Sequence, residues 1–360
     1  MAVLNEEQTM LRDMARDWAT NESPVNAWRK VRDANEAAGF DAGTWSTMAE
    51  MGWTGIIIPE ANGGSDFGWL SLGLVIEELA KTMTASPLVA SATAASAILL
   101  GGSDAQKAKY LPRIASGELI ATLAVDEGPR HDPAGITAKV EGGKLSGTKA
   151  FVAEGDSAGL FVVAATDGLY LVEAAAGVSV TRRHLVDFRS HADVAFDGAA
   201  ADKLAEGGAS KDGGLLDKVL DRAAVLTAAE MLGMAGQSFD TTLAYLKQRV
   251  QFGQVLATFQ AIQHRMANLF SEIEVMRSVV EAGLTAIDSG ADTRQAASLA
   301  KGKANEVGHL MSRELIQLHG GIGMTDEYDA GFVLKRMRVL EQIWGNTAFH
   351  RERFARVGGF

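Results

Sequence analysis

From Leu215 to Arg356 the sequence keeps helical periodicity almost without interruption, and this run limits the fold more than any other feature. Its stretches are alanine-rich, and Gly253, Gly290 and Gly320-Gly321 punctuate them into segments long enough for four long helices. Long amphipathic helices joined by short loops bury their apolar stripes against one another, which predicts an up-and-down four-helix bundle over residues 215–360.

The texture upstream changes twice. Short apolar runs such as Leu160-Phe161-Val162-Val163-Ala164 and Leu169-Tyr170-Leu171-Val172 alternate with turns such as Glu141-Gly142-Gly143-Lys144. That spacing predicts a middle antiparallel β domain over residues 119–205. Glu206 to Gly214, rich in glycine, reads as a linker. Residues 1–118 read as an N-terminal helical domain. Met10, Leu11, Met14 and Trp18 form a stripe at helical spacing, Leu70 to Lys81 and Ala90 to Leu100 continue the pattern, and Ser103 stands as an N-cap. Gly52 and Ile56-Ile57-Ile58-Pro59 break it, and Gly117 ends it. The fold class expected is α+β, mainly α, in the order helices, strands, helices.

Composition narrows the function classes. At 360 residues and 47% hydrophobic, the chain can bury a large core. With 34 basic and 45 acidic residues and no basic run of five, it lacks the footprint of a nucleic-acid binder. There is no cysteine, hence no disulfide, thiolate nucleophile or iron–sulfur ligand. The seven histidines show no ligand spacing, so no metal site is expected. The start Met1-Ala2-Val3-Leu4-Asn5 lacks the basic and apolar regions of a secretory signal, and charge interrupts every apolar stretch before 18 residues. A cytoplasmic protein with no membrane span is the expectation.

Three strings near the C-terminus carry chemistry: Arg249-Val250-Gln251-Phe252-Gly253, Phe259-Gln260-Ala261-Ile262-Gln263-His264, and Gln317-Leu318-His319-Gly320-Gly321-Ile322-Gly323. Alone, an arginine near a helix end is a surface charge and a glycine pair after a helix is a cap. Together and in this order they resemble the flavin-clamping core of the acyl-CoA dehydrogenase family. Further segments agree, among them Met51-Gly52-Trp53-Thr54-Gly55-Ile56, Glu77-Glu78-Leu79-Ala80, Tyr110-Leu111-Pro112 and Gly147-Thr148-Lys149. The resemblance spans nearly the whole chain and implies FAD as cofactor and an acyl-CoA thioester as substrate. It gives Arg249 the flavin of a neighbouring subunit, whose pyrophosphate a guanidinium matches with paired donors. Phe252 would pack on the adenine side, Gln260 and Gln317 would meet polar edges of the dinucleotide, and Gly320 and Gly321 would let backbone approach closely. The family's electron acceptor, an electron-transfer flavoprotein, and its assembly as a dimer of dimers are implied as well. No Gly-x-Gly-x-x-Gly supports a Rossmann mode, and no Gly-x-Ser-x-Gly an α/β-hydrolase.

The chain departs from the family at the reacting centre. Gln342-Ile343-Trp344-Gly345-Asn346-Thr347 stands where the family carries Glu-Gly-Thr, whose glutamate is the base. Counted from Gln317 that glutamate falls on Trp344, and counted from Thr347 on Gly345; neither takes a proton. Some branches place it on an earlier helix, at a position that falls on Ala223. Asp221, Glu230 and Glu341 are the carboxylates nearby, and a relocated base would have to be Asp221, Glu341 or another residue able to reach the substrate. The family's Thr-Glu-Pro…Gly-Ser-Asp stretch reads Val125-Asp126-Glu127-Gly128-Pro129-Arg130-His131-Asp132, and Phe151 takes the place of a tryptophan. Three readings stand open. One is the base-lacking subunit of a hetero-oligomeric dehydrogenase, a branch whose tail Thr347-Ala348-Phe349-His350-Arg351 resembles. The others are a homotetramer with a relocated base and a flavin-free scaffold.

Overall fold

A computed structural model describes residues 3–204 and 213–360, so residues 206–212 of the expected linker lie outside the described residues. Contacts gather the chain into two compact units. One holds residues 1–25, 73–84 and 224–360, the other residues 26–72 and 85–223.

The helices before the strands are α1 (Glu6–Glu22), α2 (Val25–Asp33), α3 (Ala42–Glu50), α4 (Gly68–Lys81), α5 (Leu88–Gly101) and α6 (Asp104–Ala115). Their starts follow local chemistry. Asn5 and Gln8 close a capping box on α1, and Ser103 with Gln106 closes one on α6, as the sequence predicts for Ser103. The stripe expected on α1 is corrected by one step around the helix. Leu11, Ala15 and Ala19 form the buried line, while Met10 and Met14 are exposed. Leu11 with the small Ala15 and Ala19 at i+4 and i+8 forms one face of α1, and flexible methionines are tolerated outside. α5 is buried on nearly every side, as its Ala- and Ser-rich sequence permits. Between α3 and α4, 3₁₀ turns at Trp53–Gly55 and Glu60–Asn62 replace helix where Gly52 and Pro59 stand.

The strands form two four-stranded sheets. β1 (Ala121–Ala124), β4 (Leu160–Ala165), β5 (Gly168–Glu173) and β8 (Asp202–Lys203) make one in that order. β2 (Lys139–Glu141), β3 (Lys144–Ala153), β7 (His191–Ala200) and β6 (Val178–Arg182) make the other. Pairing is antiparallel except that β1 runs parallel to β4, Ala121 opposite Leu160. One core joins the sheets, with Leu145, Phe161, Val163, Val194 and Phe196 buried and the two phenylalanines edge-on at 6.0 Å.

The second helical region has three long helices: α7 (Leu215–Gln248), α8 (Gln260–Asp288) and α9 (Arg294–His319). The fourth long segment is divided into α10 (Ala330–Leu340) and α11 (Thr347–Val357), both packed on α9. Between α7 and α8 runs a small hairpin, β9 (Val250–Gln251) and β10 (Gln254–Val255). α7 crosses α4 at Gly233, where a Cβ would stand 2.0 Å from the Glu77 carbonyl oxygen. Glycine is what allows the two backbones to touch.

Candidate functional site

The Arg249 string becomes a corner. β9 and β10 pair Gln251 with Gln254, leaving Phe252 and Gly253 as a two-residue turn. Both have positive φ, +53° and +81°, the signature of a type I′ hairpin. A phenylalanine in that region is uncommon. The turn holds the Phe252 ring 89% exposed, its edge toward Phe259 at 6.3 Å. Leu256 N–H donates to the Arg249 carbonyl at 2.9 Å, closing the corner, and Gln260 opens α8 on the surface directly after it.

The Gln317 string ends α9. Gln317 is exposed in the last turn, and Gly320, with φ +64°, breaks the helix. A Cβ on Gly320 or Gly321 would meet nothing within 4 Å, so this turn is open surface. The two strings are joined by an aromatic stack. His319 lies between Tyr245 of α7 and Tyr328, with centroids 4.4 and 4.7 Å away, and the Tyr245 hydroxyl donates to the His319 carbonyl at 3.3 Å. Tyr245 is one helical turn before Arg249. Tertiary structure therefore unites motifs some seventy residues apart.

Among the described residues the side chains of Arg249, Gln260 and Gln317 make no hydrogen bond or ion pair. A bare guanidinium, two bare amides, an exposed aromatic face and two glycines without side chains fit a flavin dinucleotide: cation for pyrophosphate, ring for base, backbone for close approach. Sequence reasoning did not find His319 as their link. Its signal was its position inside the motif, immediately before the glycine pair.

The segment at the expected base position is built differently. Lys301 of α9, fully buried, donates to Asn305 Oδ1 at 2.6 Å, the Leu340 carbonyl at 2.9 Å and the Gly345 carbonyl at 3.2 Å. Burial draws its ammonium down to about 7, with Glu341 opposing, yet three acceptors are what a full ammonium satisfies. Asn305 Nδ2 donates to Gly345 O as well, and His350 Nε2 lies 2.9 Å from Trp344 O. Trp344 is held at φ +58° and Gly345 at +105°. A Cβ on Gly345 would stand 2.4 Å from Phe349 Cδ1 and 3.0 Å from His350 Nε2. No side chain fits there without displacing both.

The carboxylates weighed as relocated bases are placed as follows. Glu341 is buried and held by Arg338 Nη1 at 2.7 and 2.8 Å, with His309 Nδ1 at 3.2 Å. Glu230 pairs with Arg336 at 2.8 Å. Asp221 is only 1% exposed on α7.

In the β-containing unit the altered segment closes on itself. Both Asp126 oxygens lie 3.0 Å from His131 Nδ1. Burial would raise the Glu127 carboxyl, but donors from Lys149, Thr137 and the Ala138 N–H lower it to about 2. Lys149, fully buried, also donates to the Val125 carbonyl at 2.9 Å. Phe151, at φ +54°, donates its N–H to Asp193, and the Arg183 guanidinium lies 5.3 Å from its ring. Lys301 escaped sequence reasoning, and Lys149 entered it only as part of the string Gly147-Thr148-Lys149. Lys301 at least had a signal, since Ala297, Ala300 and Ala304 place it on a small-residue, core-facing side of α9.

Residues 5–118 match the model of the acyl-CoA dehydrogenase N-terminal domain, and residues 214–359 that of the C-terminal domain. The acyl-CoA dehydrogenase IpdE2 of Mycobacterium tuberculosis is 30% identical over 94% of this chain and 93% of its own length. The chain belongs to the acyl-CoA dehydrogenase family. It is an oxidoreductase of that class, with FAD as cofactor and an acyl-CoA thioester as substrate. The caffeyl-CoA reductase-Etf complex subunit CarC of Acetobacterium woodii is 28% identical over 95% of this chain and 96% of its own. A variant of the Tcur3481-Tcur3483 steroid ACAD superposes with a TM-score of 0.91 at 31% identity, covering 98% of each chain. Among the described residues, no helix is long and apolar enough to cross a membrane.

Proposed function

We propose that this chain is the flavin-clamping, base-lacking subunit of a hetero-oligomeric acyl-CoA dehydrogenase. One observation carries the reading: Trp344 and Gly345, the two positions on which the family's base falls, offer no carboxylate, and a Cβ on Gly345 would stand 2.4 Å from Phe349 Cδ1, while the side chains of Arg249, Gln260 and Gln317 make no hydrogen bond or ion pair among the described residues. Arg249 neutralises the pyrophosphate, Phe252 covers the adenine, Gln260 and Gln317 meet polar edges, and the Gly320-Gly321 turn gives the backbone approach. FAD, when bound, accepts the hydride from the β-carbon. The proton from the α-carbon goes to a carboxylate on a second, base-bearing chain.

The two-part name of the steroid ACAD, 31% identical, supports a two-chain assembly and a bulky, steroid-type CoA ester as substrate. The likeness to CarC supports an electron-transfer flavoprotein as the acceptor. A cytoplasmic location, and division of the chain at residues 118 and 205–215, complete the reading.

The first test is the visible spectrum of the chain expressed alone, with FAD counted per subunit, and again after co-expression with a base-bearing homologue. The reading expects a colourless or half-loaded chain alone and full FAD with dehydrogenase activity in the pair. Full FAD and full activity in the lone chain would discard it. The base of a homotetramer is then Asp221, Glu341 or another carboxylate, and if it is the buried Asp221, Asp221→Asn should lower kcat by about a thousand-fold.

A further inference from the structure

The two halves of the clamp, Arg249 after α7 and Gly320-Gly321 after α9, meet through one side chain that neither the motif nor the reaction requires to be polar. His319 is 2% exposed. Its Nδ1 lies 2.7 Å from the Leu315 carbonyl, which can only accept, so Nδ1 carries the proton. Its Nε2 lies 2.8 Å from the Tyr328 hydroxyl and, in a neutral ring, accepts from it. The tautomer is thus set by its partners, and the flat ring fills the gap between Tyr245 and Tyr328.

We propose that His319 is a positioning residue for the dinucleotide: as a neutral wedge it fixes the Gly320-Gly321 turn against the end of α7 that presents Arg249. The inference rests on the clamp assignment above. The surroundings favour the neutral ring. Tyr245 faces it from α7, Leu315 O from its own helix, and Tyr328 from the segment before α10, with Asp329 beside Tyr328 as the nearby charge. Burial lowers the imidazole below 6.5, with the Leu315 hydrogen bond opposing. Tyr328 and Leu315 also line a cavity of about 370 Å³, which leaves Tyr328 room to move when its bond to Nε2 is disturbed. Protonation makes Nε2 a donor, forces the phenol to stop donating, and puts a charge inside the stack. Because the folded pKa lies below the unfolded one, the contribution is intact above 6.5 and is lost as pH falls below it.

The test uses the FAD-loaded assembly. His319→Ala, which removes the wedge, should weaken FAD binding about tenfold with helicity unchanged. His319→Phe keeps a flat ring and removes the titration. It should hold FAD at neutral pH and lack the acid-triggered release expected of the wild type below 6.5. Tyr328→Phe should shift that release without removing it. In FAD-free protein, the pH dependence of the thermal midpoint below 6.5 should flatten in His319→Phe. Wild-type affinity in His319→Ala, or a wild-type acid profile in His319→Phe, would overturn the positioning role. An Arg249→Ala control separates the two failures. If Arg249→Ala releases FAD while His319→Ala keeps it, only the positioning role falls. If Arg249→Ala keeps FAD, the clamp assignment falls and takes the role with it.

Discussion

The clamp and the segment 341–346 belong to the same compact unit and treat their polar groups in opposite ways. At the clamp, Arg249, Gln260 and Gln317 are exposed and make no bond among the described residues. In the segment, Lys301 and Asn305 donate to the Gly345 carbonyl, His350 Nε2 lies against the Trp344 carbonyl, and Arg338 holds Glu341. Unmet donors on a surface cost little because water serves them, and they are free to serve a ligand. Buried donors and acceptors must be met inside, and once met they are not available for chemistry. The difference teaches what each place can offer a ligand: unmet polar groups at the one, and groups already engaged by the fold at the other.

That contrast can be broken by substitution. Lys301→Met removes the ammonium and leaves the Leu340 carbonyl and Asn305 Oδ1 without that donor, while Gly345 O keeps its bond from Asn305 Nδ2, so it should cost about 1–3 kcal/mol of stability, read by denaturant unfolding. A loss below about 1 kcal/mol would mean the segment is not held as described. Gly345→Ala forces a side chain into φ +105° against Phe349 and should cost about 1–3 kcal/mol. By the same reasoning Gly345→Glu should not restore a base, and dehydrogenase activity in that variant of the lone chain would contradict the comparison. Arg249→Ala should leave the unfolding midpoint unchanged and weaken FAD binding about 10- to 100-fold, measured by flavin release. Gln317→Ala should do the same on a smaller scale, about fivefold. Should either clamp variant lose stability instead of flavin, the clamp would be architecture too.

Glu127 offers a smaller, pH-dependent test in the other unit. Its carboxyl is lowered to about 2 from 4.5, so the stability it adds is present above 4.5 and disappears as pH falls toward 2. Glu127→Gln should therefore destabilise at neutral pH and approach wild type in acid.

Much of this molecule was readable from neighbouring residues. The order of helices, strands and helices follows from periods of 3.6 and 2, the start of α6 from Ser103, and the turn at Gly253 from its glycine. The strings proposed as the clamp stand out because a motif is a local string. The absence of a carboxylate at Trp344 or Gly345 was equally plain in the sequence. Each of these signals acts within a few residues of chain.

What tertiary structure alone decided involves partners far apart. The buried line of α1 is Leu11, Ala15 and Ala19 rather than the larger methionines, because the supporting surface selects the face. β1 lies parallel to β4 because the two are joined by a long path through another sheet, not by a hairpin. Lys301 finds its acceptors 39 and 44 residues away, and Lys149 finds one 24 residues away. A lysine in a sequence reads as solvent-facing, since an ammonium is costly to bury until its acceptors are known. Those acceptors exist only once α9 and the segment after α10 have packed, and only packing sets Phe349 and His350 against Gly345.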